Sequence, residues 1–338
     1  MPSSPIRIGL IGAGRIGASH AALLAQHVPS ARLVAVADPR PGVAAALAEP
    51  LGARGETSPE AVLGAADVDA VVIAASTTAH SPLVVAAAGA GKHVFCEKPA
   101  GLTLAEIEAG RTATAAAGVA FQIGFNRRFA ADFRAAHDAV VVGRIGEVRM
   151  MRSLTRDPGA GLADAGAIPP GTIFTQTLIH DFDTLNWFNP GARAVDVLAT
   201  ADALVAPEFR DAGLLDTAVV VIRYENGAIA TAEANFAAAY GYDVRAEVFG
   251  SGGMVAAGED GGAARHERLA GRLVGDTELM RDAYVGEFAE FVAAVGEGRA
   301  PAVTGEDAMA AYAIAEACLE SHRTGTRVAV RQVTGVAA

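Results

Sequence analysis

The stretch IRIGLIGAGRIG, residues 6 to 17, joins an aliphatic run to three glycines spaced as G-x-G-x-x-G. The run predicts a buried strand, and SHAALLAQH after the glycines predicts a helix. Gly12, Gly14 and Gly17 let the turn and the helix after it approach a pyrophosphate. The free N–H groups at the helix N-terminus are suited to phosphate. This order of elements predicts a dinucleotide-binding turn, and purely structural glycines are the alternative.

An acid follows the second predicted strand. Asp38 lies 21 residues after Gly17, where a carboxylate accepts hydrogen bonds from the ribose hydroxyls of NAD and repels the 2'-phosphate of NADP. The cofactor prediction is therefore NAD, with Ile16 lining the turn. Arg15 and Arg40 either lie over the pyrophosphate or adenine or, alternatively, bind a 2'-phosphate. FAD is disfavoured because the sequence has no second glycine-rich fingerprint.

Strand and helix patterns alternate from the N-terminus to about residue 125. Near-continuous aliphatic strands separated by helix-length segments are typical of a parallel sheet covered on both faces. Thr103 followed by Glu106 is a capping box that predicts a helix start. Residues 1–125 are thus predicted to form a Rossmann domain with a doubly wound parallel sheet.

The pattern changes after that point. EVRMMRSLT, RAVDVLATADAL and DVRAEVFGSGGMVAA are strand-like, and the Asn-Gly in VVVIRYENGAIATAEA predicts a hairpin. Helical patterns occupy residues 280–296 and 305–323, and the second of these is a candidate to pack back on the first domain. Residues 126–338 are predicted to form an α+β domain with a large, open, mostly antiparallel sheet.

Composition narrows the class of protein. A chain of 338 residues is long enough for two cores, and its net charge of -11 argues against a nucleic-acid partner. No apolar run is long enough to span a membrane, and the start MPSSPIRIGL resembles no export signal. Cys96 and Cys318 stand far apart without a C-x-x-C, which suits a reducing cytoplasm. We therefore expect a soluble cytoplasmic protein with a small-molecule partner.

Polar residues follow two further predicted strands. Ser76, Thr77 and His80 come after VVIA, and Glu97 comes after HVF. The carboxyl ends of parallel strands border the ligand crevice, so these side chains are candidates to contact the ribose or nicotinamide. For His80, a place at a helix start without a ligand role is an equally open reading.

Lys98 lies between Glu97 and Pro99. Because a proline disfavours the helical conformation in the residue before it, Lys98 is expected to be extended. Its ammonium group would then project from the sheet edge toward the nicotinamide. A lysine on a loop is more often simply solvated, and only its place at the cofactor edge favours a function here.

A helical stretch, FTQTLIHDFDTLNWF, interrupts the second domain. At about 100° per residue, Gln176, His180, Asp183 and Thr184 share one face, which has no Lys, Arg or Glu. A polar face of short side chains is typical of a pocket wall. The alternative is that His180 is a buried structural histidine. A metal site at HDFD is disfavoured, because one histidine and two acids on different faces do not converge.

Five motifs together resemble the glucose-fructose oxidoreductase and inositol dehydrogenase (Gfo/Idh/MocA) family over nearly the whole chain. They are GAGRIG at 12–17, CEKP at 96–99, GFNRRF at 124–129, HDFD at 180–183 and AAYGYD at 238–243. The resemblance implies a Rossmann domain, a second domain whose open sheet forms dimers or tetramers, and oxidation of a ring hydroxyl by NAD. It also implies that Lys98 binds the reacting oxygen and that His180 is the acid and base.

The same resemblance assigns Arg128, Asp157 and Tyr240 to the substrate hydroxyls, and it shows one departure. The family has an aspartate four residues before the histidine, where this chain has Gln176. A carboxylate there would stabilise the imidazolium, whereas glutamine supplies no charge. His180 would then be assisted by Asp183 or water. The departure alternatively marks a different substrate, such as a keto- or aminocyclitol or a sugar.

Two other functions remain open on the sequence. One is an NAD(P)H-dependent reductase of a ketosugar, imine or enone, with Lys98 as the donor. The other is a nucleotide sensor without catalysis, against which Lys98 and His180 both argue.

Overall fold

The computed structural model describes residues 4–158, 168–238, 240–258 and 275–333. The chain divides into two compact units. The first comprises Met1–Phe129 with Arg281–Met309, and the second Ala130–Met280 with Ala310–Ala338. The sequence predicts a boundary near residue 125 and places residues 281–309 in the second domain, whereas the compact units place them in the first.

The first unit contains a parallel sheet covered by helices. Its strands are β1 (Ile6–Ile11), β2 (Ala31–Ala37), β3 (Arg54–Glu56), β4 (Ala70–Ile73), β5 (His93–Cys96) and β6 (Phe121–Ile123). Its helices are α1 (Arg15–His27), α2 (Val43–Ala48), α3 (Pro59–Leu63), α4 (Thr77–Gly89), α5 (Leu104–Ala117) and, later in the chain, α10 (Arg281–Glu297), with short 3-10 turns at Glu49–Leu51 and Asn126–Phe129.

The strands of the first sheet are ordered β3-β2-β1-β4-β5-β6 and all pair in parallel. Every residue of β4 is buried, as expected for a strand covered on both faces. Thr103 caps α5 by accepting a hydrogen bond from the Glu106 N–H at 3.1 Å. The predicted doubly wound sheet is confirmed, and its order brings the carboxyl ends of β2, β1, β4 and β5 to one edge.

Residue packing explains why α10 belongs to the first unit. Phe288 and Phe291 of α10 are fully buried and lie against Phe95 of β5, with ring centroids 4.9 and 5.9 Å away. The Gln122 side-chain amide on β6 donates to the Glu287 carbonyl at 2.8 Å. Contacts between residues so distant in sequence have no local pattern from which a boundary could be predicted.

The second unit contains a mixed sheet. Its strands are β7 (Val148–Arg156), β8 (Ala194–Asp202), β9 (Thr217–Tyr224), β10 (Ile229–Asn235), β11 (Asp243–Gly250), β12 (Gly253–Ala257) and β13 (Val328–Ala329). Its helices are α6 (Ala131–Val141), α7 (Ile179–Trp187), α8 (Pro207–Asp211) and α9 (Asp276–Leu279), while α11 (Gly305–Thr324) begins in the first unit and continues into the second.

The second sheet has the order β12-β11-β7-β10-β9-β8-β13. Of its pairs, only β7 with β10 is parallel, so the predicted mostly antiparallel sheet is confirmed. The predicted hairpin joins β9 to β10 through Asn226 and Gly227, whose φ is +85°. Among the described residues, no helix combines the length and apolarity needed to cross a membrane.

A π-helical turn, Ile173–Thr177, precedes α7. Its wider winding is visible in the Leu178 N–H, which donates to the Ile173 carbonyl five residues back at 2.9 Å. The sequence predicts one regular helix from near Thr172. The change of winding alters the angular relation between residues before and after Leu178.

Candidate active site

The glycine turn after β1 has the geometry of a phosphate-binding turn. Gly12 has a φ of +102°, and a Cβ there would collide with the Ala74 carbonyl. A Cβ on Gly17 would collide with the Gly12 carbonyl. Gly14 precedes α1, and a Cβ there would contact no atom of the described residues. Gly12 and Gly17 therefore serve close packing, while Gly14 leaves the N-terminus of α1 open to a ligand.

Asp38 lies beside that turn at the end of β2 and is buried. Its carboxylate accepts the Ala13 N–H at 2.9 Å and a bidentate pair from the Arg40 guanidinium at 2.8 Å. The Arg40 hydrogen bonds hold the pKa of Asp38 well below its usual range. The Arg40 side chain is thus bound to Asp38. Arg15, which is exposed, and Ile16, which is half-buried, begin α1. The fixed negative charge supports the predicted preference for NAD.

The exit of β4 carries Ser76, Thr77 and His80 at the start of α4. The Ser76 side chain is exposed and its hydroxyl lies 3.3 Å from that of Thr78. His80 is buried, with Nδ1 2.8 Å from the Pro99 carbonyl and Nε2 3.1 Å from the Ala75 carbonyl. The ring therefore ties the exit of β4 to the loop after β5, a structural role that the sequence left open.

Glu97 and Lys98 follow β5 and have different surroundings. Glu97 is buried, and its Oε1 lies 2.6 Å from His20 Nε2 on α1. Glu97 Oε2 accepts the Lys98 N–H at 3.2 Å. The side chain of Lys98 is half-buried, and the Lys98–Pro99 peptide is cis. Direct contact of Glu97 with the cofactor remains a prediction, while the structure shows its carboxylate directed at His20.

His20 and Glu287 are functional candidates that the sequence reading missed. They form with Glu97 the one group of at least three potential metal-ligating side chains found among the described residues. A signal was present in the sequence. Glu287 lies four residues after Ala283 and four before Phe291, in the buried stripe of α10, and His20 lies in that of α1. A charged or titratable group in such a stripe requires a partner.

In the second unit, His180 and Gln176 are half-buried, whereas Asp183 and Thr184 are buried. The Thr184 hydroxyl donates to the His180 carbonyl at 2.8 Å. Because Gln176 lies in the π-helical turn and His180 lies in α7, the two residues are not related by the regular helical winding that the sequence predicts. Burial distinguishes Asp183 from the half-buried pair, and its substrate role remains a prediction.

The first acid of HDFD has a defined role in packing. Asp181 is fully buried and accepts the Ser153 hydroxyl at 2.6 Å and the Thr155 hydroxyl at 2.7 Å. These hydroxyls belong to β7, so Asp181 fastens α7, and with it His180, to the sheet.

Three looser candidates lie in defined surroundings. In the first unit, the Arg128 guanidinium donates to Asp307 at 2.9 Å. In the second, the Asp157 backbone bonds with Asn235 and Ala238, both at 2.9 Å. The Tyr240 hydroxyl donates to Asp243 at 3.1 Å, and burial together with that acid raises the pKa of Tyr240.

A parallel sheet, an open glycine turn and an acid at the end of the second strand are the features of a Rossmann domain that binds NAD. Two family descriptions match the chain: "Oxidoreductase family, NAD-binding Rossmann fold" over residues 6–125 and "Oxidoreductase family, C-terminal alpha/beta domain" over residues 138–330. The chain belongs to the Gfo/Idh/MocA family, as its motifs predict.

Individual relatives agree with this assignment. The chain is 37% identical over 337 residues to a myo-inositol 2-dehydrogenase of Thermotoga maritima, covering 98% of this chain and 100% of that protein. It is 39% identical over 323 residues to an inositol 2-dehydrogenase of Rhizobium meliloti, covering 94% and 96%. The structure resembles that of a scyllo-inositol dehydrogenase from Lactobacillus casei with bound NAD(H) and scyllo-inositol, with a TM-score of 0.88, 30% identity and coverage of 97% and 99%. The chain is accordingly an NAD-dependent oxidoreductase, and these relatives support oxidation of a cyclitol CH–OH.

Proposed function

We propose that the protein oxidises a secondary ring hydroxyl of an inositol or a closely related cyclitol or sugar. The observation that carries this proposal is the edge of the first sheet, where the glycine turn, Asp38 and Lys98 follow neighbouring parallel strands. Whole-length similarity to inositol dehydrogenases supports the substrate class.

The proposed chemistry assigns one role to each of two residues. When bound, NAD supplies the acceptor for the hydride that leaves the ring carbon. The Lys98 ammonium binds the reacting oxygen and stabilises negative charge that develops on it. His180 accepts the hydroxyl proton as the C–O single bond becomes a carbonyl. These roles follow from the family resemblance and from the ionisation chemistry of the two side chains.

We further propose the supporting contacts. The turn formed by Gly12, Gly14 and Gly17 holds the pyrophosphate, and Asp38 binds the ribose. Gln176, Arg128, Asp157, Tyr240 and Asp183 select the substrate hydroxyls. A glutamine at 176 supplies an amide to the substrate or to His180 without adding a charge. Cyclitols with a keto or amino substituent are therefore included beside the inositols.

A direct assay tests this function. Purified protein with NAD is given myo-inositol, scyllo-inositol, aminocyclitols and aldoses, and NADH formation is followed by its absorbance. We expect turnover with at least one inositol and a lower KM for NAD than for NADP. Absence of turnover across the panel, together with reduction of keto compounds by NADH or NADPH, would favour a reductase instead.

We also propose that the protein is a homo-oligomer, a dimer or tetramer, in the cytoplasm. The outer face of the second sheet supports the first part. A row of paired apolar residues crosses four strands there: Met254, Phe249, Met150 and Ile229, which are 57%, 50%, 59% and 47% exposed. Such a row is typical of a surface that another chain covers. Two buried free cysteines and the use of NAD support the compartment.

Sedimentation velocity tests the oligomer. Met150→Glu should shift the wild-type species toward monomer because it introduces a charge into the row. Val142→Glu, at an exposed position outside the second sheet, is the matched control and should leave the sedimentation coefficient unchanged. A monomeric wild-type protein would overturn the proposed oligomer and leave the proposed activity untouched. Fluorescence microscopy of the tagged chain tests the proposed cytoplasmic location.

A further inference from the structure

A buried cluster of titratable side chains lies behind Lys98 in the first unit. It consists of His20 on α1, Glu97 after β5 and Glu287 on α10. An imidazole nitrogen and one carboxylate oxygen from each acid all lie within 4.8 Å of one another. His20 and Glu287 are fully buried, and Glu97 is 8% exposed. So much buried charge is costly unless its protons are specifically arranged.

His20 and Glu97 form the close pair of this cluster. The 2.6 Å separation of His20 Nε2 and Glu97 Oε1 is that of a hydrogen bond in which the imidazole N–H donates to the carboxylate. The His20 ring is enclosed by Phe288, Tyr284 and Phe95, with centroids 4.8, 5.3 and 6.4 Å away. These apolar surroundings strengthen the hydrogen bond.

Glu287 is held in a different state. Neither of its carboxylate oxygens has a hydrogen-bond partner among the described residues. Burial, and then the charge of Glu97, raise the pKa of Glu287 well above its usual range. Burial also acts to raise the pKa of Glu97, but the His20 hydrogen bond and the charges of His20, Lys98 and His80 outweigh it, so the pKa of Glu97 is lowered. These opposite shifts, and the absence of a hydrogen-bond donor at Glu287 among the described residues, favour one carboxylate and one protonated acid in the cluster.

A proton explains the close pair better than a metal ion does. Ligands about 2.0–2.2 Å from a tetrahedral zinc ion stand more than ~3 Å apart. His20 Nε2 and Glu97 Oε1 are closer than that. The pair would have to separate before both atoms could bind the same ion.

Glu97 connects the cluster to Lys98. While Oε1 bonds with His20, Oε2 accepts the Lys98 N–H at 3.2 Å. Gly124 leaves room for this arrangement, since a Cβ there would stand 3.2 Å from Glu97 Oε2. One carboxylate therefore spans the gap between α1 and the backbone of the proposed catalytic lysine.

We propose that His20 is a positioning residue that acts on Lys98 through Glu97, and that Glu287 carries a proton so that Glu97 is the only anion of the cluster. This inference rests on the proposed function for the role of Lys98. The arrangement of protons can be measured without substrate, so the two can fail separately.

The first experiment uses turnover. His20→Leu removes the N–H donor, and we expect kcat to fall by about tenfold or more, up to ~10²-fold, as for a displaced catalytic group. His20→Gln retains a donor and should recover most of that loss. The KM for NAD should change less than kcat, because the glycine turn is untouched. His27→Leu, exposed at the end of the same helix, is the matched control.

The second experiment reads Lys98 without any substrate. The chain has only two lysines, Lys92 and Lys98, so mass spectrometry can follow the acetylation of each. Glu97→Gln and His20→Leu should change the rate at Lys98 by about tenfold, the scale on which a neighbouring charge acts on an ionisable group. Lys92, which donates to two backbone carbonyls, is the internal reference and should keep its rate.

The third experiment reads Glu287. The infrared difference between the wild-type protein and Glu287→Gln should contain the carbonyl stretch of a protonated carboxyl group. Glu290→Gln, on the same helix and paired with Arg299, should not produce it. Glu287→Gln should also leave the acetylation of Lys98 unchanged.

Several results would overturn the proposal. They are equal damage from His20→Gln and His20→Leu, unchanged acetylation of Lys98 in both Glu97→Gln and His20→Leu, or the lack of a protonated carboxyl band. A stoichiometric metal in the purified protein that Glu287→Gln removes would replace it with a metal site. If His20→Leu does not fold, Glu97→Gln and the infrared measurement still decide. A protein that turns over no polyol but shows the predicted infrared and acetylation results would refute the proposed function and leave the cluster in place.

Discussion

The two proposed catalytic residues, Lys98 and His180, each adjoin a buried carboxylate, and the two units hold these carboxylates differently. Glu97 precedes Lys98 and bonds with titratable His20, near a second acid, Glu287. Asp181 follows His180 and accepts hydrogen bonds from two hydroxyls. The hydrogen bond of Glu97 therefore depends on the protonation of the groups around it. The hydrogen bonds of Asp181 come from two neutral hydroxyl groups and do not. An acid beside a catalytic residue thus has no single meaning, and its partners decide what it does.

The largest expected effect concerns His180 itself. His180→Ala should lower kcat by about 10²–10⁴-fold, the usual contribution of a general base. His137→Ala is the control, because His137 stacks on Trp187 at 4.1 Å and has no proposed chemistry. Steady-state kinetics with NAD and the best inositol measure both. Equal loss in the two variants would mean that packing in the second unit, rather than proton transfer, was being measured.

The other side of the comparison depends on Lys98. Lys98→Ala should lower kcat by about 10² or more, the scale of a lost electrostatic contact with the developing oxyanion. Lys92→Ala removes the other lysine, whose ammonium binds the Ala65 and Val68 carbonyls, and should reduce the melting temperature rather than kcat. Unchanged turnover in Lys98→Ala would exclude the lysine from the mechanism.

The two hydroxyl hydrogen bonds of Asp181 predict a smaller effect, mainly on stability. Asp181→Ala should reduce the free energy of unfolding by about 1–3 kcal/mol, since it leaves two buried hydroxyls without their acceptor. Asp181→Asn keeps one acceptor oxygen and should cost less. Urea unfolding measures both, with exposed Asp138→Ala as the control. If Asp181→Asn reduced the free energy of unfolding as much as Asp181→Ala, the negative charge of Asp181 would be needed, as we propose for Glu97.

The effect of Glu287 is expected to appear as a dependence of stability on pH. Its pKa is raised in the folded state, so its favourable contribution is complete below the ordinary glutamate pKa and is lost as pH rises toward the raised value. Glu287→Gln removes this loss. The melting temperature of the variant relative to wild type should therefore increase with pH.

The other titratable groups near Glu287 do not obscure this pH dependence of the melting-temperature difference. Glu97 has a lowered pKa, so its contribution is present above the ordinary glutamate range and is lost as pH falls through the lowered value. His20, Lys98 and His80 act on Glu97 in both proteins. Their common part cancels in the difference between wild type and variant. If the melting-temperature difference between Glu287→Gln and wild type did not vary with pH, Glu287 would not be protonated in the folded protein.

Local pattern predicted much of the architecture. Aliphatic runs between helix-length segments were sufficient for the parallel sheet, and the Asn-Gly pair for the hairpin of the second unit. The glycine spacing together with Asp38 indicated NAD, because the turn needs glycine at Gly12 for its positive φ and at Gly17 for close packing. Each of these signals lies within a short stretch of chain, where residue type and spacing act directly.

The sequence by itself thus determined the fold class, the cofactor class and the positions of Lys98 and His180 in recognisable motifs. Only the tertiary structure decided the partners of Glu97 and Asp181, the membership of α10 in the first unit and the π-helical turn before His180. Glu97 and Glu287 are separated by 190 positions of chain, yet their shared surroundings lower the pKa of the first and raise the pKa of the second. Those are properties of surroundings, and no pattern along the chain encodes which distant side chains will share them.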